Sequence, residues 1–421
     1  MKIESTGRWN FPSGDVGVRP FPFPFVAGFA LANENTYASA DLFEEAHAFV
    51  SGRGATPYGE GLGLEVGDSV VAGPDGAPGL AAGGEGPADA ARLDELAQAG
   101  WLDCLFCPEA AARPAMTRAF ASWPPAWRPI VFLGSTSPAE TAVLAGAGVR
   151  FFGDDGLVEI DKFGDHLDYR TIERFALAAR EYDWSRWGRP PSSMDAGAEI
   201  LAGFMNLTLQ VRESSRGRHW GFKRYGGPWR PSMPTFSGQV TGVLLDQLTN
   251  LAGAVIVQQR FGLWSLVGAA PDRDEARANS SPALDRHAVA AWRDIAERAA
   301  AGQLWVVTAG RLLDHLWRRQ SLKFTVDKSH ERWVVRLEGL ICPILGDRAI
   351  EPGDLNGLSF TVPEGAPEVI VIVGGDRDPL AMRRATDSAY RGRDAVYRPW
   401  AFLEWPEANG RQHPETDDPG P

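Results

Sequence analysis

The stretch RPFPFPFVAGFALANEN, residues 19–35, decides how the chain is read. A Pro/Phe arm runs into an almost unbroken apolar segment, 26–32, that stops at Asn33, Glu34 and Asn35. A strand buried on both faces reads as a continuous apolar run, as in parallel sheets, and such sheets collect ligands at the carboxyl ends of their strands. The segment therefore predicts a central parallel strand with a polar edge. GLGLEVGDSVV, residues 61–71, repeats the design and predicts a second short strand with Glu65 and Asp68 in it or just beyond it.

Working outward, apolar runs alternate with segments of helical periodicity. Leu42, Phe43, Ala46 and Phe49 predict a helix within residues 36–50, in which His47 reads as a packing or surface residue. Further strands are expected at 101–106, 130–133, 149–152 and 254–258, with helices between them, a pattern that indicates a parallel α/β architecture. Short elements are also expected at 157–163, 171–182 and 196–209, and Ser281-Pro282 is expected to open a long helix. After Leu304 the pattern changes: KFTVDKSHERWVVRLEG alternates around a polar turn as a hairpin does, and three more strand-like runs follow. The expected units are an arm (1–20), a strand–helix domain (21–300), a mostly β domain (301–405) and a disordered tail (406–421).

The 421 residues carry a formal charge of −12, with 44% hydrophobic and 23% charged residues. An acidic chain is poorly suited to nucleic acid or an anionic membrane surface, because both demand basic residues against phosphates. No apolar run approaches the roughly 20 residues that span a bilayer, and the opening MKIESTGRWNF lacks a signal-peptide core, so a cytoplasmic location is expected. Three cysteines do not make a disulfide framework, and Cys104-x-x-Cys107 stands without a second ligand pair for zinc.

The two opening stretches, with AGWLDCL at 99–105, FKRYGG at 222–227, LWVVTAGRLL at 304–313 and DLNGLSFTV at 354–362, resemble the polysaccharide-deacetylase (glycoside hydrolase/deacetylase) superfamily. The resemblance implies a distorted (β/α)7–8 barrel followed by a small C-terminal antiparallel β domain. It also implies metal-dependent removal of acetyl groups from carbohydrate, in which a divalent ion activates water and a carboxylate and an imidazole move protons. The ligand positions depart from the pattern. The first cluster reads Asn33-Glu34-Asn35, Phe106 stands where a histidine is expected, Phe132-Leu133-Gly134 replaces Asn-His-Gly, and Arg260-Phe261-Gly262 replaces His-Leu-Gly.

The resemblance thus implies a barrel that has lost its usual metal site and binds a carbohydrate, another small molecule or a protein partner. The alternative is an active hydrolase that works through Glu34 and Asp68, with at most a weakly held divalent metal. Asn33, Asn35, Glu65, Lys223, Arg224 and Arg260 are the expected substrate contacts. Glu65 and Asp68 have a second reading as braces of the strand ends. The 15 tryptophans suit stacking on sugar rings and equally suit ordinary packing.

Overall fold

The computed structural model describes residues 3–6, 16–33, 40–72, 76–79, 90–107, 113–134, 136–153, 210–214, 217–222, 236–250, 252–259, 284–342, 344–376, 378–390 and 392–406. The chain is a mixed α/β protein with several sheets. Strand Ala27–Asn33 is buried along its whole length, as its apolar run predicts, and lies between Ala254–Gln259 and Leu304–Val306, parallel to both. A second sheet has a parallel centre of Gly217–Gly221, Phe151–Gly153, Val131–Leu133, Leu102–Phe106 and Asp68–Ala72, with antiparallel edges at Gln210–Ser214 and Pro78–Gly79. Among the described residues no hydrogen-bonded ladder joins the two sheets.

The second strand differs from its sequence reading. It begins at Asp68, and residues 61–67 are irregular. Gly63 adopts φ +64, a left-handed conformation foreign to a strand. A Cβ at Gly67 would come within 2.6 Å of the Asp103 Cβ, so the chain there is shaped by close approach to the next strand. Asp68 consequently sits at the amino end of its strand, whereas Asn33 ends its own. The expectation that both clusters follow the carboxyl ends of neighbouring strands is corrected for Asp68 and Glu65.

Helix Ala40–Val50 lays Phe43, Ala46, His47, Phe49 and Val50 inward. The long helix Arg286–Ala300 is capped by Asp285, whose carboxylate accepts from the amides of His287 and Ala288, in place of the expected Ser281 start. The strand and helices expected at 157–163, 171–182 and 196–209 lie outside the described residues.

Two four-stranded sheets pack around a shared core towards the C-terminus. One runs Ile3–Thr6, Leu322–Lys328, Arg332–Leu340, Glu368–Val373, and the other Arg383–Thr386, Arg393–Tyr397, Ser359–Pro363, Gly17–Val18. Phe324 meets Phe360 between them at 5.6 Å. The predicted hairpin is present, but the sandwich is not purely antiparallel: Arg332–Leu340 and Glu368–Val373 run parallel. Between them the chain crosses to the opposite sheet to form Ser359–Pro363, and a crossover returns a strand in the same direction. The N-terminal arm, expected to be irregular, instead contributes an edge strand to each sheet. The tail beyond Pro406 lies outside the described residues.

Candidate functional site

Where the carboxyl end of strand Ala27–Asn33 meets the amino end of strand Asp68–Ala72, three side chains from distant parts of the sequence converge. The Asn33 amide donates to both Asp68 oxygens, at 2.9 and 3.0 Å. The Ser69 backbone N–H donates to Asp68 Oδ1 at 2.7 Å, and His47 Nε2 lies 3.0 Å from Asp68 Oδ2. The Ser69 hydroxyl closes the group by donating to the Asn33 carbonyl. On the far side of the imidazole, Ser51 Oγ stands 3.5 Å from Nδ1, at the edge of hydrogen-bonding range.

Asn33 is 1% exposed, His47 and Ser51 4% and Asp68 8%, so this polar network is sealed from bulk water. Buried polar groups cost free energy unless paired, and Asp68 is met by three donor nitrogens, with Asn33 Nδ2 shared between both carboxylate oxygens. The imidazole is clamped between aromatic rings: Phe43 lies 4.5 Å away, and Trp405 stacks on it at 4.5 Å and 8°.

Glu65 faces elsewhere. It accepts from the Arg311 guanidinium and from the Leu403 amide, the latter at 2.9 Å. Burial pushes its carboxyl up to about 7, against the opposing pull of Arg311 and of the hydrogen bonds it accepts. Arg311 also donates to the Ala401 carbonyl at 2.6 Å and lies 4.4 Å from the Trp400 ring centre. Asp103, buried in strand Leu102–Phe106, accepts from the Ala309 and Gly310 amides, each at 2.7 Å. These are orphan donors of the first turn of helix Ala309–Ser321, so Asp103 ties the second sheet to that helix. Burial pushes its carboxyl up to about 6, opposed by those two amide bonds.

Of the sequence-predicted site residues, the structure brings Asn33 and Asp68 together and places Glu65 beside Arg311. Glu34, Asn35, Lys223, Arg224 and Arg260 lie outside the described residues. Phe106 and Leu133, at positions where the resembled family carries imidazoles, are buried in the apolar core. Sequence reasoning missed His47, Asp103, Arg311 and Trp405. His47 follows Phe43 by four residues and therefore shares its inward helix face, a signal that was available. Asp103 inside the apolar run LDCLF was another, since an acid in a buried strand requires donors nearby.

A divalent ion fits this arrangement poorly. Asp68 is saturated by protein donors, and the His47 nitrogen that faces it is engaged with that same carboxylate. Among the described residues no three His, Cys, Asp or Glu side chains form a group able to hold a metal.

The raised Glu65 carboxyl has a measurable consequence. A group whose folded pKa lies above its unfolded value stabilises fully below the unfolded value, 4.5, and loses that contribution as pH rises through about 7. The stability difference between the wild type and Glu65→Gln is therefore expected to fall with rising pH across this window. The slope approaches about 1.4 kcal/mol per pH unit and flattens on both sides. Urea unfolding of both proteins at several values between pH 4 and 8 reads this directly, and a pH-independent difference would contradict it.

No protein-family model, curated protein or solved structure matches the chain. Among the described residues no helix is long and apolar enough to cross a membrane.

Proposed function

We propose that the chain is a deacetylase-like (β/α) barrel protein in which an internal network has replaced the metal site, and that it binds a carbohydrate or a protein partner without deacetylating it. The single observation that carries this reading is the saturation of Asp68 by Asn33, Ser69 and His47. A carboxylate that ligates a metal or takes a proton from water needs a free lone pair directed at the reacting atom. Asp68 spends its acceptor capacity on bracing two strand ends and a helix. Phe106 and Leu133 support the same reading, because their apolar side chains offer no ligand atom at the positions in question. Cytoplasmic residence belongs to the proposal as well: Cys104, Cys107 and Cys342 are buried, and a reducing compartment keeps such cysteines as thiols.

A second reading is favoured by one specific feature. Ser51, His47 and Asp68 form a hydroxyl–imidazole–carboxylate chain, the order of groups used to activate a nucleophile in hydrolases. On that reading the protein is a hydrolase of a carbohydrate or another small molecule, with Asp68 and Glu34 as its acids.

One experiment separates the two. Acetylated chito- and xylo-oligosaccharides are incubated with the protein, with and without zinc, cobalt or magnesium; released acetate is assayed, and binding is followed by calorimetry. The proposal expects no acetate above the protein-free rate under any metal condition. Acetate release that disappears in Asp68→Asn would replace it with the hydrolase reading, and dependence on Ser51 would identify the nucleophile.

A further inference from the structure

The His47–Asp68 network is covered by a segment that belongs to no helix or sheet. Residues 398–406 run irregularly across the molecule after the last sandwich strand. Four hydrogen bonds hold residues 401–404: Ala401 N–H to the Asn356 side-chain oxygen at 2.9 Å, Arg311 to the Ala401 carbonyl at 2.6 Å, Leu403 N–H to Glu65 at 2.9 Å, and the Trp101 indole to the Glu404 carbonyl at 2.9 Å. Ala401, Phe402 and Glu404 are exposed. The principal apolar anchor is Trp405. Its ring lies flat on His47, meets the edge of Trp101 at 4.9 Å and 82°, and has the Arg92 guanidinium 5.2 Å from its centre.

We propose that residues 401–405 are a detachable strap whose Trp405 ring gates access to the His47–Asp68 site. The site beneath is polar and built from regular elements, whereas its cover is a short irregular segment held by those four hydrogen bonds and by the half-buried side chains of Leu403 and Trp405. Segments with few buried apolar contacts and exposed backbone open locally at free energies well below global unfolding. Lifting the strap leaves the strand Ala27–Asn33 and the helix Ala40–Val50 in place, because neither pairs its backbone with the strap. The released slot presents the flat face of His47, the Trp101 ring and the Arg92 guanidinium, which Glu44 and Glu95 hold in place, and these suit a ring-shaped occupant in exchange for the indole. The strap is a property of the fold and holds whether the site beneath binds or hydrolyses, so its failure and that of the functional proposal are separate outcomes.

The test measures solvent access to His47 in the full chain. Diethyl pyrocarbonate modification is followed by peptide mass mapping, with the core residue His315, which is 2% exposed and lies under Trp305 and Trp400, as the internal reference for an intact fold. In the wild type His47 is expected to react faster than His315, and in Trp405→Ala its rate is expected to rise about tenfold or more while His315 stays protected. An unchanged His47 rate in an intact Trp405→Ala protein overturns the proposal. If that variant loses both protections together, the wild type decides: hydrogen exchange of the Leu403 amide is compared with that of Val257 in the central sheet. Exchange of Leu403 about 100-fold faster supports the strap, and equal rates overturn it.

Discussion

Asp68→Ala is expected to destabilise the protein by about 3–5 kcal/mol, the cost typical of removing one partner from a buried charged network. The loss does not come from the deleted methylene and carboxyl volume. It comes from what stays behind: the Asn33 amide, the Ser69 N–H and the His47 N–H all point at a space that no longer holds an acceptor. Asp68→Asn tests this account, because it keeps the volume and one acceptor oxygen but turns an NH2 group towards the donors. It is expected to lose about half as much, consistent with leaving one or two buried donors unpaired. Equilibrium urea unfolding measures both. A loss below about 1 kcal/mol for the alanine variant would show that water reaches and pairs the network's donors.

Asp103→Ala is expected to cost a similar amount, about 3–5 kcal/mol, for a different structural reason. Its carboxylate holds two first-turn amides of helix Ala309–Ser321, which buries Leu312, Leu313, Leu316 and Trp317 against the core. Without it those amides face the apolar surroundings of Cys104 and Ile130, and the link between the second sheet and the helix is lost. The pH dependence has a defined sign. The folded carboxyl sits at about 6 against 3.8 unfolded, so its contribution is complete below 3.8 and declines as pH rises through 6. The gap between wild type and Asp103→Ala is therefore expected to be wider at pH 4 than at pH 7, as read by urea titrations at the two values. A gap that widens with pH would mean that the helix amides lower this carboxyl's pKa more than burial raises it.

The sequence determined a good deal through local pattern alone. The uninterrupted apolar run 26–32 is compatible with little besides a strand covered on both faces, and it became the middle of a parallel sheet. The alternation in KFTVDKSHERWVVRLEG likewise became the predicted hairpin. A polar residue that ends a buried strand must find partners, and Asn33 found them. What pattern did not reveal was the direction from which partners arrive. Apolar Leu62, Leu64 and Val66 make residues 61–67 look like part of a strand, but the left-handed φ of Gly63 and the contact of Gly67 with Asp103 delay the strand to Asp68. That delay moves Asp68 from the expected carboxyl end to the amino end.

Long-range contacts decided the rest. His47 is 21 residues from Asp68, Asp103 is 206 from Ala309, and Glu65 is 338 from Leu403, so no window of sequence contains any of these pairs. Hydrophobic periodicity says which face of an element is buried; it does not say which buried face meets which. Burial then raises the energetic stakes of each polar group, because a donor or acceptor removed from water must be matched by whatever the tertiary fold brings within about 3 Å. The residue types were therefore fixed by the sequence, while their roles as brace, helix cap and anchor of the irregular C-terminal segment were assigned only when the packed elements brought them into contact.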